Sequence, residues 1–376
     1  MKIQRSINRI FLAPPMLFFL LVMSGQASAQ RIIKFDAPNS GTIPYAGTYP
    51  AAINQPGTVT GQVTDDNYGT HGFVGTPAGG FTDFDAPGAD PIVGCTCPAG
   101  INDLGVVTGT SIDTNGVGHG FVRSPDGRIT TFDDSQAPIG AGANQGTFPS
   151  GINDIGEIAG GYVDGNGALH GFVRAPDGRI TTFDAPGASG GTFVQSINNF
   201  GVIAGLFYDT NGTGHGFVRT ASGQITTFDP PHSVTGPTSY GIYSAYINDL
   251  GVIAGSYYDA TTDVERGFIR WPDDQYAEFA APGAGTVVTS SDEAGTNVSA
   301  INLEGMTTGN ILDNNFESHS FVRTANGEAK TFDIPGQIHV SGMDAGSIGL
   351  GINALGIIVG RWRDPNETFH GYLRIP

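Results

Sequence analysis

The sequence predicts an all-β protein, a seven-bladed β-propeller whose blades are four-stranded antiparallel sheets. A unit of about fifty residues recurs along the chain, a period typical of propellers and solenoids. The seventh copy of this unit is split between the two ends of the chain. No segment has helical periodicity, and the 376 residues include 58 Gly and 23 Pro, which is typical of a turn-dense β protein.

An Ile-Asn pair marks the first strand of each copy. The marker isoleucines are Ile53, Ile101, Ile152, Ile197, Ile247, Ile301 and Ile352. The residue before the marker is small in six copies, and a glycine recurs in the second strand. These glycines are Gly61, Gly109, Gly160, Gly205, Gly255, Gly309 and Gly360. Because small residues suit places where backbones approach closely, both positions are predicted to lie near a central axis.

The clearest copy shows the four strands of one blade. Short β-like runs occupy 193–197, 202–208, 215–219 and 224–228, and Asn, Asp and Gly residues separate them. Such residues favour tight hairpins because they accept positive φ or bond their own backbone. Four short antiparallel strands per repeat predict a propeller blade.

The two ends of the chain predict that the propeller is closed. The last copy stops after its third strand, at 370–374, and the missing Phe-Asp strand stands at 32–36. An N-terminal strand that completes the last blade removes both exposed sheet edges. We therefore expect residues 30–376 to form one closed propeller domain.

The first 29 residues have the pattern of a secretory signal peptide. Lys2, Arg5 and Arg9 precede an apolar run at 11–23, and Ala-Ser-Ala at 27–29 resembles a cleavage site. A retained N-terminal anchor is the alternative. We expect a secreted or periplasmic protein, without a membrane span after cleavage, whose net charge changes from −18 to −21 when the signal peptide is removed. That charge argues against nucleic-acid partners and favours cationic partners or bound divalent metal.

The two cysteines, Cys95 and Cys97, leave three alternatives open. A Cys-x-Cys pair can form a local disulfide, remain as free thiols or contribute to a metal site. No cluster of histidines or further cysteines surrounds the pair in the sequence. Disulfides are therefore not expected to be the main support of the fold.

The repeated elements Ile-Asn-x-x-Gly, His-Gly-Phe and Thr-Thr-Phe-Asp resemble those of the extracellular HAF-repeat family. The resemblance covers 32–376, although the middle residue of His-Ala-Phe is Gly here, as at Gly120 and Gly171. Arg266 replaces the histidine in one copy, Ser320 replaces the glycine in another, and Tyr372 replaces the phenylalanine in the last. The resemblance implies secretion and a propeller-like repeat fold, and it implies no catalytic residue.

Turn lengths divide the predicted propeller into two faces. The first-to-second and third-to-fourth connections are tight, as at 153–156 and 176–178, and we call the face they share the plain face. The loop-rich face carries the second-to-third hairpins and the loops between units, which we place at 90–100, 134–150, 230–246, 281–299 and 334–350. Binding residues often lie on variable loops, so the loop-rich face is the predicted binding face.

Two departures from the repeat supply the candidate binding residues. One is a tyrosine cluster, predicted to lie in a long loop, and the other is an Arg-Trp-Arg run in the last unit. The candidates are Tyr240, Tyr243, Tyr246, Arg361, Trp362 and Arg363. Aromatic rings near a channel mouth can stack on sugars or peptides, and arginine binds anionic groups. The alternative is that Trp362 fills the seam where the ring closes.

The repeat also contains a ring of aspartates and a ring of histidines. An Asp-x-Asn pattern follows the second strand in three copies, with candidate metal ligands Asp113, Asn115, Asp164, Asn166, Asp209 and Asn211. These oxygens either bind Ca²⁺ or close an Asx turn. The histidines occur one per unit, so we expect them to pack and hydrogen-bond between neighbouring blades instead of converging on a site.

Two main functions remain open at this stage, beside a third possibility, a structural element of the cell surface or matrix. The first is a monomeric, non-enzymatic binding or scaffold module that holds an extracellular glycan, peptide or protein. The alternative is a polysaccharide hydrolase or lyase with a site at the channel mouth, which needs a suitably spaced carboxylate pair. The sequence contains none of the common catalytic motifs, which favours the first function.

Overall fold

The structure is a computed structural model that describes residues 30–92, 94–137, 145–233, 241–287, 294–342 and 345–376. These residues form 28 β-strands and no helix, so the described chain has no helix able to cross a membrane. The predicted all-β class is confirmed.

The first sixteen strands after β1 form four antiparallel groups, each paired in chain order. Strand β1 is Arg31–Phe35. Group 1 holds β2 Gly47–Ile53, β3 Val59–Thr64, β4 Thr70–Thr76 and β5 Gly80–Phe84. Group 2 holds β6 Thr96–Ile101, β7 Val107–Ile112, β8 Gly118–Arg123 and β9 Ile129–Phe132. Group 3 holds β10 Gly146–Ile152, β11 Ile158–Val163, β12 Leu169–Arg174 and β13 Ile180–Phe183. Group 4 holds β14 Thr192–Ile197, β15 Ile203–Tyr208, β16 Gly214–Arg219 and β17 Ile225–Phe228.

The remaining strands continue the pattern, and the last group includes both ends of the described chain. Group 5 holds β18 Ile242–Ile247, β19 Ile253–Asp259, β20 Val264–Arg270 and β21 Tyr276–Phe279. Group 6 holds β22 Gly295–Ile301, β23 Thr307–Leu312, β24 Ser318–Arg323 and β25 Ala329–Phe332. Group 7 holds β26 Ser347–Ile352, β27 Ile358–Arg363, β28 Phe369–Ile375 and β1.

The pairing of β1 with β28 places the N-terminal strand where the sequence predicts it. The two strands run antiparallel over five residue pairs, from Arg31 opposite Ile375 to Phe35 opposite Gly371. Phe35 is buried and stacks on Phe81 of group 1 at a centroid distance of 4.9 Å. The N-terminal strand therefore contacts both the last group and the first.

The glycine of the His-Gly-Phe element is explained by the strand beside it. Gly171 pairs with Phe183 across β12 and β13, and the phenylalanine ring lies over the glycine. A Cβ atom on Gly171 would stand 2.6 Å from that ring, so a larger residue would require the ring to move. In this copy the fourth-strand phenylalanine occupies the space that a side chain at the middle position would take, whereas Ser320 fits opposite Phe332 in group 6.

Neighbouring groups are joined by a repeated side-chain contact. The arginine that ends a third strand lies over the fourth-strand phenylalanine of the preceding group, as Arg174 does over Phe132 at 4.7 Å. Such cation–π contacts are worth about 0.5–2 kcal/mol, depending on desolvation. The apolar core lies between the groups, where for example Ala159 of group 3 packs with Val194 and Phe217 of group 4.

The marker asparagines form a second connection between groups. Each side chain Oδ1 accepts a backbone N–H of its own turn, and each Nδ2 donates to the main-chain oxygen of the next marker asparagine. The asparagines are Asn54, Asn102, Asn153, Asn198, Asn248, Asn302 and Asn353. The series returns from Asn353 to the oxygen of Asn54 at 3.3 Å. All seven are buried.

Candidate functional site

The first strands of all seven groups surround one central cavity. In six groups a β-bulge interrupts the ladder two residues before the marker isoleucine, and a bulged residue leaves the regular pairing. The six bulged residues line the cavity: Ala51, Ala99, Ser150, Gln195, Ser299 and Leu350. The small residues predicted to lie near the axis also line it, as Gly100 and Gly151 do.

Group 5 departs from this arrangement at Tyr246. Its bulge lies between Ile242 and Ser244, so Ser244 pairs with Ser256 and Tyr246 pairs with Ala254. Tyr246 therefore lies on β18. The predicted loop at 230–246 extends too far, because the strand already begins at Ile242. Tyr246 lines the cavity, and burial raises the pKa of its hydroxyl.

The cavity widens to about 400 Å³ toward the loop-rich face, and we call this part the loop-face cavity. Tyr49, Gln62, Gln195, Tyr246 and Arg361 supply its larger polar and aromatic side chains. Tyr246 and Arg361 come from β18 and β27, which are far apart in the sequence. Arg361 lies 5.6 Å from the Tyr49 ring centroid, so its charge is held beside an aromatic surface.

The other candidate binding residues lie elsewhere. Tyr240 is outside the described residues. Tyr243 lies on β18 at partial exposure, and its main-chain oxygen accepts a hydrogen bond from Gln195. None of the described candidates other than Tyr246 and Arg361 lines the loop-face cavity.

Trp362 packs within group 7, beside the N-terminal strand β1, and Arg363 contacts Tyr45 just before group 1. The Trp362 ring is buried, stacks on His370 at 4.6 Å and faces the Lys34 ammonium at 4.2 Å. Arg363 is buried, lies over the Tyr45 ring at 4.5 Å and forms an ion pair with Glu367 at 3.1 Å. These contacts favour the seam-packing alternative for Trp362. Tyr162 stacks on His170 in the same way in group 3, at 4.9 Å.

Sequence reasoning missed Tyr49, Gln62 and Gln195. A positional signal exists for each of them. Tyr49 stands four residues before its marker isoleucine, as Tyr243 does, and Gln62 follows its second-strand glycine, as Arg361 does. Gln195 is the largest polar side chain among the bulged residues, and the bulge itself is decided by strand register.

The Asp-x-Asn turns are closed by their own hydrogen bonds. Asp164 Oδ1 accepts from the backbone of Asn166 and Ala168 at 2.8 Å, and the Asn166 amide donates to Asp164 Oδ2 at 3.2 Å. The Ala168 N–H lowers the pKa of Asp164, as the Thr213 N–H does for Asp209. Within the described ranges, no three His, Cys, Asp or Glu side chains are grouped to hold a metal. Calcium binding at these turns stays a prediction.

The repeated histidines bond within their own group, and the prediction of bonds between neighbouring blades is wrong. His119 Nδ1 lies 2.8 Å from Asp133, which follows the adjacent fourth strand, and its Nε2 lies 3.8 Å from Asp113. The copy with Arg266 in place of histidine also has Ala280 in place of the strand-end aspartate. The histidine and its aspartate partner are therefore replaced together in this copy, where Arg266 lies 3.5 Å from Asp259.

The cysteine alternatives are narrowed to one. Cys95 and Cys97 form a disulfide in the structure. The bond ties the loop before β6 to that strand, on the loop-rich side of group 2. Neither cysteine is free to ligate a metal in this state.

At the plain face the central cavity ends in a polar mouth of about 180 Å³. The residues after the marker asparagines line it, among them Asp103, Asp154, Asn199 and Asp249. Each Asp or Asn Oδ1 accepts the backbone N–H of the preceding group's turn at 2.8 Å, as Asp103 does from Gln55. Burial raises the pKa of Asp103, and the carboxylates of Asp154 and Asp249 add to that effect.

Comparison with known proteins identifies the type of fold. No protein-family model matches the chain, and neither does any curated protein sequence. Among solved structures it is similar to virginiamycin B lyase from Staphylococcus aureus, with a TM-score of 0.57 and 15% identity over 92% of this chain and 100% of that one. A streptogramin B lyase gives a TM-score of 0.58 and 13% identity over 92% of this chain and 97% of that one. A lectin from Burkholderia pseudomallei gives a TM-score of 0.50 and 11% identity over 88% of this chain and 100% of that one. These neighbours are β-propellers, so the fold of this chain is propeller-like.

Proposed function

We propose that the chain is a closed seven-bladed β-propeller in which groups 1 to 7 are the blades. The β1–β28 pairing and the contact from Asn353 to Asn54 support closure, because each joins residues from opposite ends of the sequence. The seven sets of residues around one cavity support the blade number. Membership of the HAF-repeat family and secretion stay predictions from the sequence, and the Cys95–Cys97 disulfide is compatible with an oxidising compartment.

We propose that this propeller is a non-enzymatic binding module that holds a glycan, peptide or protein segment in the loop-face cavity. The observation that carries the proposal is the convergence of Tyr246 and Arg361, two departures from the repeat, in one cavity. Tyr246 offers a ring and a hydroxyl donor, and Arg361 offers a charge for an anionic group. The likeness to a lectin makes an acidic glycan the first ligand class to test.

A glycan and peptide array tests this function. We expect Tyr246→Ala and Arg361→Ala each to weaken the best array ligand at least about tenfold, a loss of about 1.4 kcal/mol. Val287→Ser changes an exposed apolar residue outside the cavity lining and serves as the matched control, which should bind as the wild type does. Binding that survives both cavity variants would place the ligand elsewhere.

The alternative, a polysaccharide hydrolase or lyase, draws support from the lyases among the structural neighbours. The described lining of the loop-face cavity, however, contains no carboxylate and no histidine, and glycoside hydrolysis commonly uses two carboxylates. Asp103, Asp154 and Asp249 lie at the opposite mouth. If the wild type turns over the array ligand, and Asp103→Asn abolishes turnover but leaves binding intact, the result would favour the enzyme.

A further inference from the structure

The plain face carries a ring of exposed apolar side chains. They occupy the second position after the marker asparagine, in the first-to-second turns of five groups. The exposed fractions are Leu104 67%, Ile155 62%, Phe200 69%, Leu250 64% and Leu355 70%. These side chains lie at the tips of tight turns, where a polar residue would be equally compatible with the backbone. Five exposed apolar side chains at equivalent positions on one face make this face a candidate interaction site.

An apolar groove lies beside this ring, between groups 5 and 6. It measures about 220 Å³, and its apolar walls include Leu250, Val252, Trp271 and Leu303. Glu304 and the buried Arg323 also line it. Trp271 begins a third-to-fourth turn and is 36% exposed. The equivalent turns begin with Ser124, Ala175, Thr220 and Thr324. Tryptophan at the edge of a groove can provide much of the binding energy of a protein interface.

The apolar ring encircles an acidic centre. Asp103, Asp154 and Asp249 precede Leu104, Ile155 and Leu250 directly, and they line the mouth of about 180 Å³. Hydrogen bonds from the neighbouring turns fix their orientation. A ligand that covers the ring therefore meets fixed negative charge at its middle, on a chain whose formal net charge is already −18.

We propose that the plain face is a docking surface for a polypeptide segment in which a lysine or arginine is flanked by apolar side chains. The cationic side chain enters the mouth beside Asp103 and Asp249, and the apolar side chains contact the ring and the groove at Trp271. Charge complementarity selects this occupant. A second copy of this chain would bring acidic mouths together, and an anionic membrane would face the same negative charge.

Selection from a random displayed peptide library, followed by fluorescence polarisation of the selected peptides, tests the proposal. We expect selected peptides to combine Lys or Arg with Leu, Ile, Phe or Trp. Trp271→Ser should weaken them about tenfold or more, because it removes the aromatic wall of the groove. Asp103→Asn keeps the acceptor for the Gln55 N–H, removes one charge and should reduce the salt dependence of binding.

Val340→Ser, an exposed apolar residue on the loop side, is the matched control and should leave peptide affinity unchanged. Near-ultraviolet circular dichroism and an unchanged denaturation midpoint establish that each variant is folded. Selection of acidic or purely polar peptides, failure to select any peptide, or equal binding by Trp271→Ser would overturn the proposal. Self-association lost in Phe200→Ser, or binding to anionic vesicles, would assign the face to another occupant and would also overturn it.

Discussion

At the scale of single residues, the marker asparagine shows why one residue type recurs seven times. Its side chain must accept the N–H of its own turn and donate to the carbonyl of the next group, and the short, uncharged asparagine amide does both. Asn302 makes these two bonds at 2.8 Å, to Met306 and Asn353, with 3% of its surface exposed. The repeated asparagine is therefore required by the fold, and it does not by itself indicate a binding site.

Asn302→Asp tests this role. The carboxylate keeps the bond from Met306 but faces the main-chain oxygen of Asn353, so we expect a loss of about 1–3 kcal/mol in the free energy of unfolding, measured by urea denaturation. That contact raises the carboxyl pKa of the folded variant, so the loss should shrink as the pH falls through this raised pKa and be smallest below about pH 4, where protonation restores a donor in both states. Asn326→Asp, at an exposed turn where other copies have Asp126 and Asp177, should change stability by less than about 0.5 kcal/mol. Equal losses at both positions would refute the proposed role.

At the scale of the strand, contacts between backbones decide where glycine is required. Gly205 on β15 faces the main-chain oxygen of Phe193 and the ring of Phe217, and an added Cβ would come 2.7 Å from that ring. Gly151 on β10 has more space, since the nearest atom to an added Cβ is Ile197 Cγ2 at 3.7 Å. The sequence places both glycines near the axis, but only the strand register separates a required glycine from a replaceable one.

Gly205→Ala and Gly151→Ala form a matched pair. Overpacking against Phe193 and Phe217 should cost Gly205→Ala about 3 kcal/mol of unfolding free energy. Gly151→Ala should leave stability unchanged or raise it by up to about 1 kcal/mol, because alanine reduces the entropy of the unfolded chain. Chemical denaturation of both variants measures the difference. A tolerated alanine at position 205 would contradict the register of β14 and β15.

At the scale of the whole molecule, stability depends on contacts between distant parts of the chain. The β1–β28 ladder joins the last group to the N-terminal strand, and the bond from Asn353 to Asn54 and the stacking of Phe35 on Phe81 join the last group to the first. If the strand is lost, β28 exposes unpaired backbone groups along one edge, which favours aggregation as well as unfolding.

Truncation tests closure. A chain that begins at Ala37 lacks β1 and should unfold at a markedly lower denaturant concentration than a chain that begins at Gln30. A synthetic peptide with the sequence of 30–36 should recover part of the difference, because it can pair with β28. Identical midpoints for the two chains would refute the closure model.

Much of this arrangement was predictable because it depends on residues that are close together in the sequence. The turn residues define the strands, and the split copy predicts the β1–β28 pairing within one residue at each end. Tyr246 and Arg361 were predictable as departures from the repeat. Their meeting was not, because it depends on a bulge that is shifted in β18 and on the distance between two strands far apart in the sequence.

The sequence by itself determined the all-β class, the period, the turns and the exchange of the N-terminal strand, since each follows from patterns within about fifty residues. Only the tertiary structure decided which departures are packing, as for Trp362, and which reach the loop-face cavity, as for Arg361. It also showed that the face with the shortest turns exposes Phe200 and Trp271. Exposure and convergence depend on strand register and on neighbouring groups, and a local pattern contains neither.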